Sequence, residues 1–536
     1  MTKLVVAACV AASILAAPCA IPQEHDHRND GGALGEVNFP VSCNAKAQSQ
    51  FNTTAALLYS FYWEKVDAAV AAVLEADPSC AMAYWAKAVA SLDNPLGAPP
   101  TPKQEQEGWA AVERAKQLGG KTARERHYIA GVETVFKDHA TVPFKTRAVA
   151  YEKALEQLHA RYPEDAEAAI LYAYWLQVTA DRNDLTHVQQ LKSARILEQV
   201  SASQPKHPGV VHFLIHAYDF PSIAEHGLDA ARRYAAIAPD SPHALHMPTH
   251  IFSRVGSWQD SIEMNMRSRA SAKMHRDVYH ALDYLTYASL QLGQDAQAGK
   301  WVKFVESNQT FNEQTRQIAY AAAVIPARYA LERGEWANAA QLALRPSSPT
   351  FDWSPFPEGE AVNAYARGLG AARSVNATAA KAEVARIGRL REAMVAQKKD
   401  YWIEQADIQV ETIKAWIARA EGRNEEALQL MRAAADREDK TEEHVMMPGR
   451  VIPVREMLGE LLLELKRPIA ALAAFEESQR GDPRRFRNTY GAGRAAELAG
   501  EHDKARAYYA QLLQQVGTKA SARPEIEHAK AYVGKL

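Results

Sequence analysis

Two segments, HPGVVHFLIHAYD (residues 207–219) and SPHALHMPTHIFSRVGSW (residues 241–258), contain histidines that repeat along the chain. His212 and His216 are four residues apart, and so are His246 and His250. The second pair follows the first after 34 residues, a period typical of helix–turn–helix repeats. We therefore predict an array of helical hairpins in which the two pairs occupy the same face of equivalent helices.

A third segment, VYHALDYLTYASL (residues 278–290), continues the pattern with an offset of three residues. The offset aligns His243 with His280, His246 with Asp283 and His250 with Tyr287. One surface is thus predicted to gather the following side chains: His212, His216, His243, His246, His250, His280 and Asp283.

The spacing of these histidines favours a metal site. Two histidines at positions i and i+4 lie on one face of a helix and can bind one ion together. Neighbouring helices pack about 8–10 Å apart, which imidazoles reaching in from both sides can span. The predicted ligands are His212, His216, His243, His246, His250 and His280. Imidazole suits zinc, copper, iron or nickel, and we expect a divalent ion, with zinc favoured over copper or iron.

Two other interpretations of the histidines remain open, namely a metal-free groove for an anionic or peptide ligand and a set of buried structural side chains. Four further residues lie close to the histidine columns. Asp219 and Asp283 could orient an imidazole or act as a base, Arg254 could hold an anionic group, and Tyr287 aligns with His250. Each also has an ordinary structural interpretation, such as a helix-end acid, a salt bridge or a packing tyrosine.

The rest of the chain supports an all-α fold. The clearest repeats are the last two, residues 455–483 and 487–513, in which Gly459, Ala471 and Phe475 recur as Gly493, Ala505 and Tyr509. Small residues in such columns let two helices approach, and large ones fill the space between hairpins. Residues 347–359 are rich in proline and serine. We therefore predict two hairpin arrays, residues 45–345 with the histidines and residues 357–536.

The chain has 536 residues, 47% of them apolar, and a net charge of −2. Neither a basic stripe nor an acidic block is present, so no nucleic-acid partner is expected. The composition gives no basis for predicting the oligomeric state.

The N-terminus predicts export. Residues 1–20 resemble a signal peptide, with Lys3 before an apolar stretch, and residues 21–44 are predicted to be a flexible leader. Cys19 leaves lipidation open. No transmembrane segment is expected in the mature chain, which we place in a periplasm or outside the cell. There, Cys43 and Cys80 flank one helical hairpin and are predicted to form a disulfide, with two buried thiols as the alternative.

Over residues 45–515 the chain resembles the tetratricopeptide repeat superfamily. More narrowly, it is similar to a group of exported bacterial tetratricopeptide repeat proteins, through the blocks HPGxxHxxIHAxD and HAxHMPxHIFxRxGxW. The resemblance implies a superhelical array whose concave groove takes a small-molecule or peptide ligand, with the histidine columns facing that groove. It implies no particular reaction.

Two functions follow as hypotheses. The first is a metal-dependent hydrolase, in which the ion polarises a substrate oxygen or activates water while Asp219 or Asp283 moves the proton. An oxidative reaction at iron or copper is a variant of the first. The second is a protein- or peptide-binding scaffold without chemistry, and a closed four-ligand metal site would favour it.

Overall fold

The structure, a computed structural model, describes residues 33–181, 183–308, 310–311, 313–347 and 350–534. In these residues the secondary structure is helical and contains no strand, which confirms the predicted all-α class. The predicted signal peptide and the first part of the predicted leader lie outside the described residues. None of the helices formed by the described residues is both long and apolar enough to cross a membrane.

The first nine helices precede or include the first histidine pair: α1 Ala45–Tyr59, α2 Trp63–Ala76, α3 Ala81–Ala90, α4 Pro102–Leu118, α5 Ala123–Phe136, α6 Phe144–Arg161, α7 Ala166–Thr179, α8 Val188–Ser203 and α9 Pro208–Tyr218. A short 3-10 helix, Ala224–Gly227, follows. The next eight helices are α10 Leu228–Ile237, α11 Pro242–His246, α12 Pro248–Arg254, α13 Trp258–Ser271, α14 His275–Gln291, α15 Asp295–Ser307, α16 Arg316–Glu332 and α17 Trp336–Ala339. The last nine are α18 Pro357–Arg373, α19 Ala377–Ala396, α20 Asp400–Ala420, α21 Asn424–Glu438, α22 Val454–Glu464, α23 Pro468–Gly481, α24 Phe486–Ala499, α25 His502–Val516 and α26 Pro524–Val533.

Consecutive helices pack against each other as hairpins, and each hairpin packs on the next. The predicted columns of small and large residues account for this packing in the last two repeats. A Cβ atom on Gly459 would lie 2.8 Å from the ring of Phe475, and one on Gly493 would lie 2.7 Å from the ring of Tyr509. The glycines are therefore required because the aromatic rings occupy the space that a methyl group would need.

The hydrophobic core consists of two main clusters of buried side chains. One extends along the chain from Leu34 to Phe252 and the other from Tyr279 to Ala529. The predicted domain boundary at residues 346–356 falls within the second cluster, where Phe351 and Trp353 are buried. The histidine-bearing helices α9, α11, α12 and α14 thus lie where the two cores meet.

The segment before α1 is anchored to the first hairpins. The ring of Phe39 is fully buried and lies 5.3 Å from the rings of Phe51 and Trp85, measured between centroids. Part of the predicted flexible leader is therefore packed, because its phenylalanine fills the core between helices α1 and α3. The Sγ atoms of Cys43 and Cys80 lie 2.05 Å apart, as in a disulfide.

Candidate metal centre

Six imidazoles converge as two adjacent triads. The first triad consists of His212, His216 and His243, and the second consists of His246, His250 and His280. In each triad the possible ligand nitrogens all lie within 4.8 Å of one another. Ring centroids are 6.3 Å apart between His216 and His250 and 6.4 Å apart between His243 and His246, so the triads are neighbours.

The local sequence explains how the pairs are presented. Pro208 begins α9, and His212 and His216 lie one turn apart on that helix. The second pair is divided between two short helices, because Pro248 begins α12 and lacks an N–H. Met247 keeps helical dihedral angles (φ −53°, ψ −37°), so the i, i+4 relation of the second pair survives the break.

In the first triad one ring is held by the backbone. The Nδ1 atom of His212 lies 2.6 Å from the carbonyl oxygen of Tyr59, which can only accept a hydrogen bond. The proton of neutral His212 is therefore on Nδ1 and its lone pair on Nε2. That Nε2 atom lies 3.1 Å from Nε2 of His216 and 3.1 Å from Nε2 of His243.

In the second triad two rings are held in the same way. The Nδ1 atom of His246 lies 2.7 Å from Oδ1 of Asn265, and the Nδ1 atom of His250 lies 2.8 Å from Oδ2 of Asp219. The amide of Asn265 is oriented because its Nδ2 donates to the carbonyl of Ser261 at 3.0 Å. When both rings are neutral, each presents a lone pair on Nε2, and these two atoms are 3.1 Å apart.

Two lone pairs at this distance repel each other unless a proton or a metal ion lies between them. A metal ion meets that requirement, and a third imidazole, that of His280, completes the set of donors around it. Hydrogen-bond acceptors on the outer nitrogens of ligating histidines are the usual means of fixing ring orientation in metal sites. The arrangement of His246, His250 and their two partners therefore fits a metal site.

The centre is buried. His212, His216, His246 and His250 are at most 6% exposed, whereas His243 and His280 are partly exposed. Burial lowers the pKa of His212 and of His280 to about 3. It also lowers the pKa of His216, His243 and His246 well below the usual value, and neighbouring imidazoles add to the effect. These five rings are thus neutral near pH 7 and able to bind a cation.

A chain of charged groups extends from the second triad to a distant loop. Oδ1 of Asp219 accepts a hydrogen bond from Nε of Arg254 at 3.0 Å, and Arg254 also pairs with Glu443 and donates to the carbonyl of Met447. All three charged side chains are buried. Asp219 and Arg254, both singled out in the sequence, therefore orient His250 and link it to the loop before α22.

The other two candidates lie outside the triads. Asp283 forms a buried ion pair with Arg328 at 3.2 Å, and burial raises the pKa of this carboxyl group to about 6. The hydroxyl oxygen of Tyr287 accepts a hydrogen bond from Nη1 of Arg485 at 2.7 Å. The three-residue offset aligned these residues with histidines, but each is paired with an arginine from later in the chain.

Several residues of the centre were not predicted. The ring of Tyr284 packs against all three imidazoles of the second triad, at centroid distances of 4.8 to 5.3 Å. The ring of Phe61 packs 4.5 Å from that of His212 and 5.3 Å from that of His243. Tyr284 follows His280 by four residues, a spacing that could have been noticed. Phe61 and Asn265 lie in other elements, and no sequence pattern near them indicated a place in the centre.

A cavity of about 920 Å³ adjoins the centre. Its lining includes His216 of the first triad and Phe220 on one side, and Tyr401 and Trp402 of α20 on the other. The histidines were expected to face an open groove. Four of the six are instead buried, and His216 connects the centre to this cavity.

Comparisons with known proteins give only distant likenesses. No family model matches the chain, and no curated protein matches it. Among solved structures, the Naa15/Naa10 complex bound to HypK-THB is similar at 13% identity and a TM-score of 0.24, covering 88% of this chain and 70% of that chain. Human IFIT1, solved as a dimer with m7Gppp-AAAA, gives 10% identity and a TM-score of 0.38 over 81% of this chain and 90% of its own. Yeast Tom70 gives 13% identity and a TM-score of 0.31, over 91% of this chain and 89% of its own.

Proposed function

We propose that this protein binds two metal ions, one in each histidine triad, and uses them on a small molecule that enters from the adjoining cavity. The observation that carries the proposal is the 3.1 Å contact between the Nε2 atoms of His246 and His250, whose outer nitrogens both have acceptors. A cation between these two atoms removes the repulsion. The repeated pair in the first triad supports a second ion.

The reaction depends on the ion. With zinc, three imidazoles leave a fourth position for water, as in catalytic zinc sites, and metal-assisted hydrolysis follows. Asp219 and Asp283 are each paired with an arginine. Hydroxide on the metal would therefore be a better nucleophile than either carboxylate. The alternative is a repeat scaffold that binds a peptide or protein without chemistry. An ion with four protein ligands and no open position would favour the scaffold.

We also propose that the protein is exported to a periplasm or to the outside. The proximity of the Cys43 and Cys80 sulfur atoms supports this location, because disulfides persist in oxidising compartments.

The proposal is tested by elemental analysis of the full chain, purified without an affinity tag, before and after treatment with a chelator. We expect two ions per chain before treatment, and the same number after reloading. Metal loading is also expected to raise the Tm of the chelated protein, because an ion that binds only the folded state stabilises it.

Variants assign the ions to the two triads. His212→Ala and His246→Ala should each lose one ion, while His226→Ala should keep both, since His226 is exposed and lies outside the triads. Circular dichroism shows whether each variant is folded. Equal metal content in all four proteins, or no metal in the unmodified protein after reloading, would overturn the proposal.

A further inference from the structure

The two triads share a donor set that contains only neutral nitrogen ligands. Among the described residues, the groups able to hold an ion there are six imidazoles, with neither a thiolate nor a carboxylate in either triad. The nearest acids that the sequence suggested, Asp219 and Asp283, pair with Arg254 and Arg328. The ligands therefore cancel none of the charge of the ions they bind.

Uncompensated charge is costly in a buried site. Two divalent ions would bring four positive charges among side chains that are mostly buried, whereas two cuprous ions bring only two. Among divalent first-row ions copper also binds nitrogen ligands most tightly, and unlike zinc it has a stable monovalent state. Burial and charge thus favour copper in its monovalent state.

The neighbouring positions of the triads suggest what such ions would do. Rings of different triads approach to 6.3 and 6.4 Å, little farther than the 4.3 to 6.0 Å found within the second triad. Ions in the two triads would therefore face each other across a short gap. A diatomic molecule is small enough to bridge that gap.

We propose that the two triads hold a pair of copper ions that binds dioxygen between them. Each cuprous ion gives one electron, and dioxygen accepts both to become bound peroxide, so that two cupric ions and one peroxide result. The total charge of the centre remains +2, because the two negative charges of peroxide offset the two electrons lost by copper. This inference rests on the proposed function, since it names the metal and the ligand of the same site.

The surroundings suit this chemistry. The apolar ring of Phe61 covers the first triad, and the ring of Tyr284 covers the second. Among the described residues, the buried hydroxyl of Tyr284 has no hydrogen-bond partner, so it is available to donate to an oxygen ligand. These rings shield the centre from solvent on two sides, while the side of His216 stays open to the cavity.

The test uses the full chain, freed of metal with a chelator and loaded with cuprous ion under argon. We expect two copper ions per chain and, on admission of oxygen, a peroxide-to-copper absorption band in the near ultraviolet. The cupric pair should give no electron paramagnetic resonance signal, because two coupled unpaired electrons cancel. His216→Gln and His250→Gln should each retain one copper and lose the band, whereas His226→Ala should keep both.

The outcomes separate this inference from the proposed function. Two bound zinc ions with no copper uptake would overturn the copper pair and leave the metal site standing. Two coppers that oxidise to independent cupric ions, each with a paramagnetic signal and without the band, would overturn dioxygen binding. A protein that takes up no metal would overturn both proposals.

Discussion

At the scale of single residues, the outer nitrogens of the imidazoles determine what the centre can bind. Asn265 fixes the proton of His246 on Nδ1, and Asp219 does the same for His250. Removing such a partner typically lowers metal affinity by about 10- to 100-fold, because the ligand loses its orientation and part of its basicity.

Asn265→Ala should therefore weaken metal binding in the second triad by about 10- to 100-fold and leave the first triad unchanged. Asn265→Asp is the matched control, because a carboxylate oxygen at the same position still accepts from Nδ1 of His246. Competition with a chromophoric chelator measures both affinities. Equal loss in the two variants, or no loss in either, would contradict the assigned role.

The buried carboxyl group of Glu438 should make the stability of the protein depend on pH, independently of the histidines. Burial raises the pKa of this carboxyl group from 4.5 to about 7, against the opposing effect of Arg450. The folded state therefore holds a proton that the unfolded state has lost between those two pH values, and the stability contributed by this group falls as pH rises through that window.

Glu438→Gln should remove this slope, because the amide does not titrate and is of similar size. The difference in free energy of unfolding between the original protein and the variant, measured by urea denaturation from pH 4.5 to 8, should shift in favour of the variant as pH rises. A difference that stays constant over this range would show that Glu438 is ionised throughout.

At the scale of elements, the close approach of paired helices rests on glycines that face aromatic rings. Gly493 lies in α24 against Tyr509 of α25, whereas Gly388 lies in α19 with no atom within 4 Å of its would-be Cβ. Both are in helices, so alanine adds the same helix propensity at both sites. The two positions differ only in the space available.

Gly493→Ala should destabilise the protein by about 1–3 kcal/mol, because the methyl group would displace a packed ring. Gly388→Ala should stabilise it by about 0.5–1 kcal/mol through helix propensity alone. Thermal unfolding of the two variants side by side gives opposite signs if the packing is as described. A shift of the same sign in both would contradict it.

The helices themselves were predictable from the sequence, and the reasons are local. The proline- and serine-rich residues 347–359 indicated a break between hairpins, and the glycine and aromatic columns indicated the pairing. The two histidine pairs were predictable because they recur at the repeat period. Phe61, Asn265 and the carbonyl of Tyr59 were not, because they reach the centre from helices or turns outside the histidine segments.

At the scale of the whole molecule, buried ion networks join helices that are distant in sequence. Arg485 is fully buried and contacts Glu332 at 2.6 Å, Glu456 at 2.8 Å and the hydroxyl of Tyr287 at 2.7 Å. Arg485 directly precedes α24, and its three partners belong to α16, α22 and α14. The arginine thus ties the last hairpins to the helix that carries His280.

Arg485→Ala should cost about 3–5 kcal/mol of stability, because it removes the arginine that neutralises the buried carboxylate of Glu332 and leaves Glu456 only its longer contact with Arg487 at 3.4 Å. Arg480→Ala is the control, since its exposed pairing with Glu477 contributes under about 1 kcal/mol. Denaturant unfolding measures both. If the two changes lower the free energy of unfolding equally, the buried network does not hold the last hairpins to α14.

The position of the centre could not be predicted at this scale. The sequence placed the histidines in an open groove of the first array and divided the chain after residue 345. The hydrophobic clusters meet at the histidine-bearing helices, where α14 packs on α16 and α24 as well as on α13. The curvature of the array decides which distant helices cover a given face of a repeat. Short sequence motifs do not encode that curvature.

The central claim is that the six imidazoles form two neighbouring metal sites. Anomalous X-ray diffraction from crystals of the metal-loaded protein, recorded above and below the absorption edge of the bound metal, tests it most directly. We predict two peaks per chain, one among His212, His216 and His243 and one among His246, His250 and His280. A single peak elsewhere, or none within bonding distance of these nitrogens, would contradict the account.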